Sequence, residues 1–383
     1  METIYLDNAA TTFPKSDKIY EVMDCINRTM AVNAGRGSYK VARKANELIN
    51  ETKNRILDLF KAPNYAKVAF TPSITIALNE ILQGIKWVKG SNVYVSPYEH
   101  NAVARTINLV ADKYDLNVIE IPIDEKTMEI DINKMESLFV INKPFCVCCT
   151  HVSNVTGYIL PVEEIFQSAK KNGAITILDS AQSAGLIDID LRMLEADFVA
   201  FAGHKALYGP LGVGGFVQVG SVELKEVIVG GTGSNSLNLN MPETIPEKYE
   251  SASPNIVAIA GLKAALDELN DVCNSETEKE LSKYLINHLR EIEAVRLLLP
   301  ADENKHIAIV SFVVDGFKSN DIGMILDEDY NIAVRTGYHC APYIHKYLGD
   351  KSSNGTVRVG LGKYNTFEQI DKLIESLQEI LEE

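Results

Sequence analysis

Between about residues 60 and 220, short apolar runs alternate with helical patterns, and no other feature of the sequence restricts the fold as strongly. The runs at 67–70, 92–96, 117–121, 145–150, 174–178 and 197–202 predict strands. The periodicity over 73–83, 102–113 and 162–171 predicts helices, the last of them ended by Gly173. Strands this uniformly apolar are buried on both faces. Interleaved with helices, they predict an α/β fold with a mostly parallel sheet between two helical layers. In such a sheet ligands sit at the carboxyl ends of the strands.

The last third reads differently. Residues 307–314 and 355–359 predict strands and 320–327 a short helix. The final helix is capped by Thr366, with Gln369 three residues on completing a capping box. Ile370, Leu373, Ile374, Leu377 and Leu381 then make one apolar stripe. A chain of 383 residues exceeds one ordinary core. The expected division is a large domain at 15–270 and a smaller C-terminal α+β domain at 271–383, joined by the N-terminal segment 1–14.

Charge narrows the partners. Lys and Arg number 37 against 52 Asp and Glu, a net charge of −15, which repels a phosphate backbone and an anionic membrane surface. No apolar run approaches a membrane span. The start METIYLDNAATT has neither the basic start nor the apolar core of a secretory signal. Six cysteines in so long a chain do not make a disulfide scaffold, so a cytoplasmic location is expected.

Two strand ends carry the strongest chemical signal. AITILD (174–179) ends in Asp179, with Gln182 three residues later. DFVAFA (197–202) runs into Gly203, His204 and Lys205, then into GPLGVGG (209–215), which reads as a glycine-rich loop. On neighbouring parallel strands, Asp179 and Lys205 face one cleft. Pyridoxal phosphate requires such a pair: an amine for the Schiff base and an acid that keeps the pyridine nitrogen protonated. Singly, Asp179 reads as a helix cap and Lys205 as a surface lysine; a His-Lys pair between a buried strand and glycines argues against both. TPSIT (71–75) joins a strand to a helix, where free N–H groups and a hydroxyl bind phosphate, although it is also ordinary helix-starting chemistry. Glu99 and His100 follow the strand at 92–96 and bring an imidazole to the same edge. Cys146, Cys148 and Cys149 lie within an apolar strand with no second CxxC, so they read as buried thiols and not as metal ligands. Cys25 and Cys273 carry no local signal.

With YLDNAATT (5–12), EH (99–100), SNVTG (153–157), DSAQ (179–182) and GHK (203–205), the chain resembles the class V aminotransferases. RTGYHCAP (335–342) narrows the resemblance to the cysteine desulfurase and selenocysteine lyase branch with a short cysteine loop. The resemblance implies a fold-type-I pyridoxal phosphate enzyme, a homodimer with sites at the subunit interface. It implies Lys205 as the Schiff-base lysine, Asp179 as the pyridinium partner, Gln182 on the ring hydroxyl and His100 stacked on the ring. Ile74 (through its backbone), Thr75 and His204 hold the phosphate. Asn154 lies near the ring hydroxyl and the substrate carboxylate, Arg358 clamps that carboxylate, and Cys340 accepts sulfur.

Three positions depart from the family pattern. Ala202 replaces a common serine. Thr232 or Ser234 stands where a partner subunit contributes a phosphate contact. Tyr338 replaces a common histidine, which leaves His339 or His100 to serve Cys340 as proton partner.

The leading reading is removal of sulfur or selenium from L-cysteine or L-selenocysteine. Lys205 takes the Cα proton, the Cys340 thiolate attacks the substrate sulfur, alanine leaves and Cys340 keeps a persulfide. A nearby histidine or arginine lowers the thiol pKa. A sulfur- or selenium-acceptor protein is then expected. The rival readings are a transaminase, epimerase or other lyase with Cys340 incidental, and a non-catalytic scaffold, which the presence of Lys205 disfavours.

Overall fold

The computed structural model describes residues 3–34, 37, 39–233, 236–269 and 276–382. Its centre is a seven-stranded sheet in the order Lys67–Thr71, Gly214–Gln218, Phe198–Ala202, Ile175–Asp179, Pro144–Thr150, Asn92–Val95, Asn117–Glu120. Every strand except Gly214–Gln218 runs parallel. Alternation across the pleat feeds two cores. Val147, Cys149, Leu178, Val199 and Phe201 enter one, while Cys146, Cys148, Ile177, Phe198 and Ala200 enter the other. Each fully buried Leu, Ile or Phe contributes roughly 1.5–3 kcal/mol. The three cysteines of this strand are therefore packing residues, and burial pushes their thiols up.

GPLGVGG is only partly a loop. Gly214 and Gly215 open the antiparallel strand, whose glycines let two neighbours close in. A Cβ on Gly215 would lie 2.3 Å from the Ala69 carbonyl oxygen, and one on Gly214 would lie 2.8 Å from the Ile74 nitrogen.

A second, antiparallel sheet has the order Val295–Leu297, Ile309–Val314, Thr356–Gly360, Arg335–Gly337. Helices Glu276–Arg290, Ser319–Tyr330 and Phe367–Glu382 pack on it. The last helix has the expected capping box, with Gln369 N donating to Thr366 Oγ1 at 3.4 Å and Thr366 N to Gln369 Oε1 at 3.3 Å. Its stripe buries Ile370, Leu373, Ile374 and Leu377 as expected, but Ile380 is the buried residue in the final turn and Leu381 is only half-buried. The N-terminal Ile4–Tyr5 pairs with Ile332–Ala333, and Ile4 and Leu6 join this second core. The expected boundary at 270/271 falls outside the described residues, as does Cys273. Among the described residues, no helix is long and apolar enough to cross a membrane.

Candidate active site

Parallel strands deliver their carboxyl ends to one edge, where a cavity of about 220 Å³ opens. Asp179, the last residue of its strand, and Lys205, three residues beyond the next, both line it. So do Ile74, Thr75, His100, Asn154, Gln182, His204 and Arg358. A larger groove of about 720 Å³ lies against the second core and holds Glu368, Glu375 and Glu379 but none of the strand-end residues. The smaller cavity is the candidate site because the titratable groups converge there.

Burial dominates the electrostatics. Asp179 is 3% exposed, its Oδ1 accepts the Ala181 amide at 2.9 Å, and burial raises its pKa. Burial lowers Lys205 to about 8, only partly countered by Asp179. No hydrogen bond is drawn from its Nζ among the described residues. His204 is lowered to about 4 by burial, with help from Lys205 and Lys15, and its Nδ1 has no partner among the described residues. His100 is also lowered to about 4, by burial first and then by Lys205, Arg335 and Arg358. Its Nδ1 accepts the Ala102 amide at 3.1 Å while capping Asn101–Tyr114, so Nε2 carries the hydrogen. Helix Ile74–Gly84 starts at the cavity, where its first amides lack intrahelical acceptors.

Gln182 donates to the Ala9 carbonyl at 2.9 Å. The Arg358 guanidinium, 1% exposed, donates Nη1 to the Asn154 carbonyl at 3.0 Å and Nη2 to Asp7 Oδ1 at 2.6 Å, leaving Nε buried without a partner among the described residues. Asn154 donates Nδ2 to the His339 carbonyl at 2.7 Å.

Cys340 is not among the residues lining the cavity; Arg335, which lines it, donates Nη2 to Cys340 Sγ at 3.2 Å. Among the described residues, neither expected histidine is hydrogen-bonded to that sulfur. His339 is tied through Nε2 to Thr356 Oγ1 at 2.7 Å, and the His100 Nδ1 is used as a helix cap. The side chain at the thiol is an arginine. His339 and Cys340 have φ of 46° and 58°, a left-handed pair that costs roughly 1–2 kcal/mol per residue. Thr232 does not line this chain's cavity, and Ser234 lies outside the described residues.

Sequence reasoning passed over Asp7 and Glu99 as individual residues, although both lie within the motifs that carried the resemblance. Glu99 is wholly buried, accepting Ser96 Oγ at 2.5 Å and the Thr150 amide at 2.7 Å. Burial raises it to about 8, and Asp179 adds to the rise.

A buried carboxylate, a half-buried amine lining the same cavity, an imidazole nitrogen with no partner among the described residues and a helix start suit an aromatic aldehyde that carries a phosphate. The sequence model of the family described as Aminotransferase class-V matches residues 4–373. The chain belongs to that family. A probable cysteine desulfurase from Pyrococcus abyssi is 32% identical, covering 99% of this chain and 94% of its own. The apo structure of a cysteine desulfurase from Thermococcus onnurineus NA1 superimposes with a TM-score of 0.89 at 30% identity, covering 99% of this chain and 95% of its own. An Escherichia coli cysteine desulfurase gives 0.85 at 25% identity, with the same coverage of 99% and 95%. Class-V aminotransferase membership and the fold-type-I architecture therefore agree with the strand-end geometry.

Proposed function

We propose that this class-V aminotransferase is a pyridoxal phosphate-dependent cysteine desulfurase that moves the sulfur of L-cysteine onto Cys340 and releases L-alanine. The observation that carries the reading is one cavity holding the Lys205 amine, the Asp179 carboxylate and the arginine that touches Cys340 Sγ. Full-length relatives named as cysteine desulfurases support it. Bound pyridoxal phosphate supplies an electron sink for the negative charge that develops at the substrate Cα.

The chain supplies the rest. Asp179 would keep the ring nitrogen protonated, Gln182 would hold the ring hydroxyl and His100 would stack on the ring. The Ile74 backbone, Thr75 and His204 would hold the phosphate, joined by Thr232 or Ser234 of a second copy in a homodimer. Arg358 and Asn154 orient the substrate carboxylate, with Asp7 fixing the guanidinium. Lys205, whose pKa of about 8 leaves a usable fraction of free amine near neutrality, takes the Cα proton and returns a proton to the alanine carbon. The Cys340 thiolate, facing Arg335, attacks the substrate sulfur; the carbon–sulfur bond breaks, its electron pair stays with carbon, and Cys340 keeps the persulfide. A cytoplasmic acceptor protein then collects the sulfur.

Alanine, sulfide and selenide release from cysteine and selenocysteine, measured side by side, tests the assignment. Equimolar alanine and persulfide-derived sulfide from cysteine are expected. Amino-group transfer to a 2-oxo acid without sulfide would replace desulfuration by transamination.

A further inference from the structure

The Cys340 turn is held in an unfavourable backbone shape, and the structure shows what holds it. Every carbonyl from Tyr338 to Cys340 has a partner. The His339 carbonyl accepts from Asn154 Nδ2 at 2.7 Å and the Cys340 carbonyl from the Asn101 amide at 2.6 Å. The Tyr338 carbonyl accepts from the Ala341 amide at 3.0 Å and faces His345 Nε2 at 2.9 Å. His345 is itself fixed from behind, with Asp350 Oδ2 at 2.5 Å from its Nδ1. Their side chains are only 8% and 1% exposed. The Tyr338 ring also packs edge-on against the imidazole, with centroids 5.0 Å apart.

We infer that His345 and Asp350 form a positioning pair that clamps the strained turn so that Cys340 Sγ is presented beside Arg335. Neither residue lines the cavity, and both stand behind the turn on the far side of the Tyr338 carbonyl. A carbonyl only accepts, so the Nε2 facing Tyr338 carries a hydrogen. The carboxylate behind Nδ1 fixes the plane of the ring, as a carboxylate does for many functional histidines. Without this anchor, the left-handed residues His339 and Cys340 relax toward ordinary backbone and the thiol leaves Arg335. The clamp matters for the sulfur step only under the desulfurase reading, but its mechanical part stands apart from it.

Hydrogen–deuterium exchange at the Asn101 and Ala341 amides, both bonded to the turn, measures the clamp directly. It is run on cofactor-free and cofactor-loaded protein. His345→Ala is expected to speed exchange there by about tenfold, as expected for the loss of one hydrogen bond and its ring packing, while amides of the strand Ile175–Asp179 stay unchanged. His345→Gln, whose side-chain amide can still donate to the Tyr338 carbonyl, should bring exchange back to within about threefold of wild type. Turnover should follow the same order: kcat on cysteine falls about tenfold in the alanine variant with KM within about twofold, and recovers in the glutamine variant. Unchanged exchange in His345→Ala would overturn the inference, as would acceleration spread over the whole chain with glutamine no better than alanine. Local exchange effects in a protein that releases no sulfide would keep the clamp and remove the desulfurase reading instead.

Discussion

Half-buried Lys205 shares its cavity with Asp179 and has a pKa lowered to about 8, so near neutrality it can act both as an amine nucleophile and as a base. Lys205→Ala removes both uses, and turnover should fall by at least about a thousandfold while the fold persists; turnover within a few-fold of wild type would end the pyridoxal assignment. Cys340→Ala separates two substrates. Sulfur needs a nucleophile to accept it, whereas selenium sits on a weaker bond and leaves more readily. The variant should lose its persulfide and cysteine desulfuration yet keep a substantial share of selenocysteine lysis, as read by both product assays and mass spectrometry of the thiol. Glu99 makes a prediction about pH. Its folded pKa of about 8 lies above the ordinary 4.5, so its contribution to stability is complete below 4.5 and is lost as pH rises through about 8. Glu99→Gln has no such proton to lose. The melting-temperature advantage of the variant should therefore grow from pH 5 to pH 8 and level off above, with about 1.4 kcal/mol per pH unit as the upper slope. A difference independent of pH would mean that Glu99 is ionised in the fold.

Strands and helices of the large sheet were legible because each buried run shows its period locally: residues 162–171 are helical as expected, and the strand ends at Asp179 and near Lys205 are where the apolar runs stop. The strand Gly214–Gln218 was hidden, since two glycines read as a loop when nothing local reports that the Ala69 carbonyl will approach. Gly215→Ala tests that explanation. Its Cβ would meet the Ala69 carbonyl oxygen at 2.3 Å, so the strand must shift, at a cost of about 1–3 kcal/mol. Thermal unfolding and cofactor retention should both weaken, since the same strand begins beside Ile74, which lines the cavity. A fully stable variant would show that the strand can move outward freely. The Arg335–Cys340 contact was hidden for a different reason. The motif RTGYHCAP contains both residues, but only the left-handed turn at His339 and Cys340 folds one back on the other.

At the scale of the whole molecule, the site is a seam between parts that fold from distant stretches of chain. Arg358 comes from the second sheet, Asn154 from a loop of the large sheet, and Asp7 from the N-terminal segment that pairs with Ile332–Ala333. No local pattern could announce this: a strand arginine and an aspartate 351 positions apart meet only after both cores have formed. The ion pair therefore reports on assembly of the seam. Arg358 is almost wholly buried, and removing its counter-charge strands a cation in low dielectric, which costs about 3–5 kcal/mol where a buried pair is broken. The partial exposure of Asp7 places Asp7→Ala at the low end. The holoenzyme should melt several degrees lower in that variant. A ligand carboxylate can supply the missing charge, so added L-alanine should raise the melting temperature of Asp7→Ala more than that of wild type. Equal ligand shifts in the two proteins would mean that Arg358 does not receive the carboxylate, and an unchanged melting temperature without ligand would mean that the seam is held by other contacts.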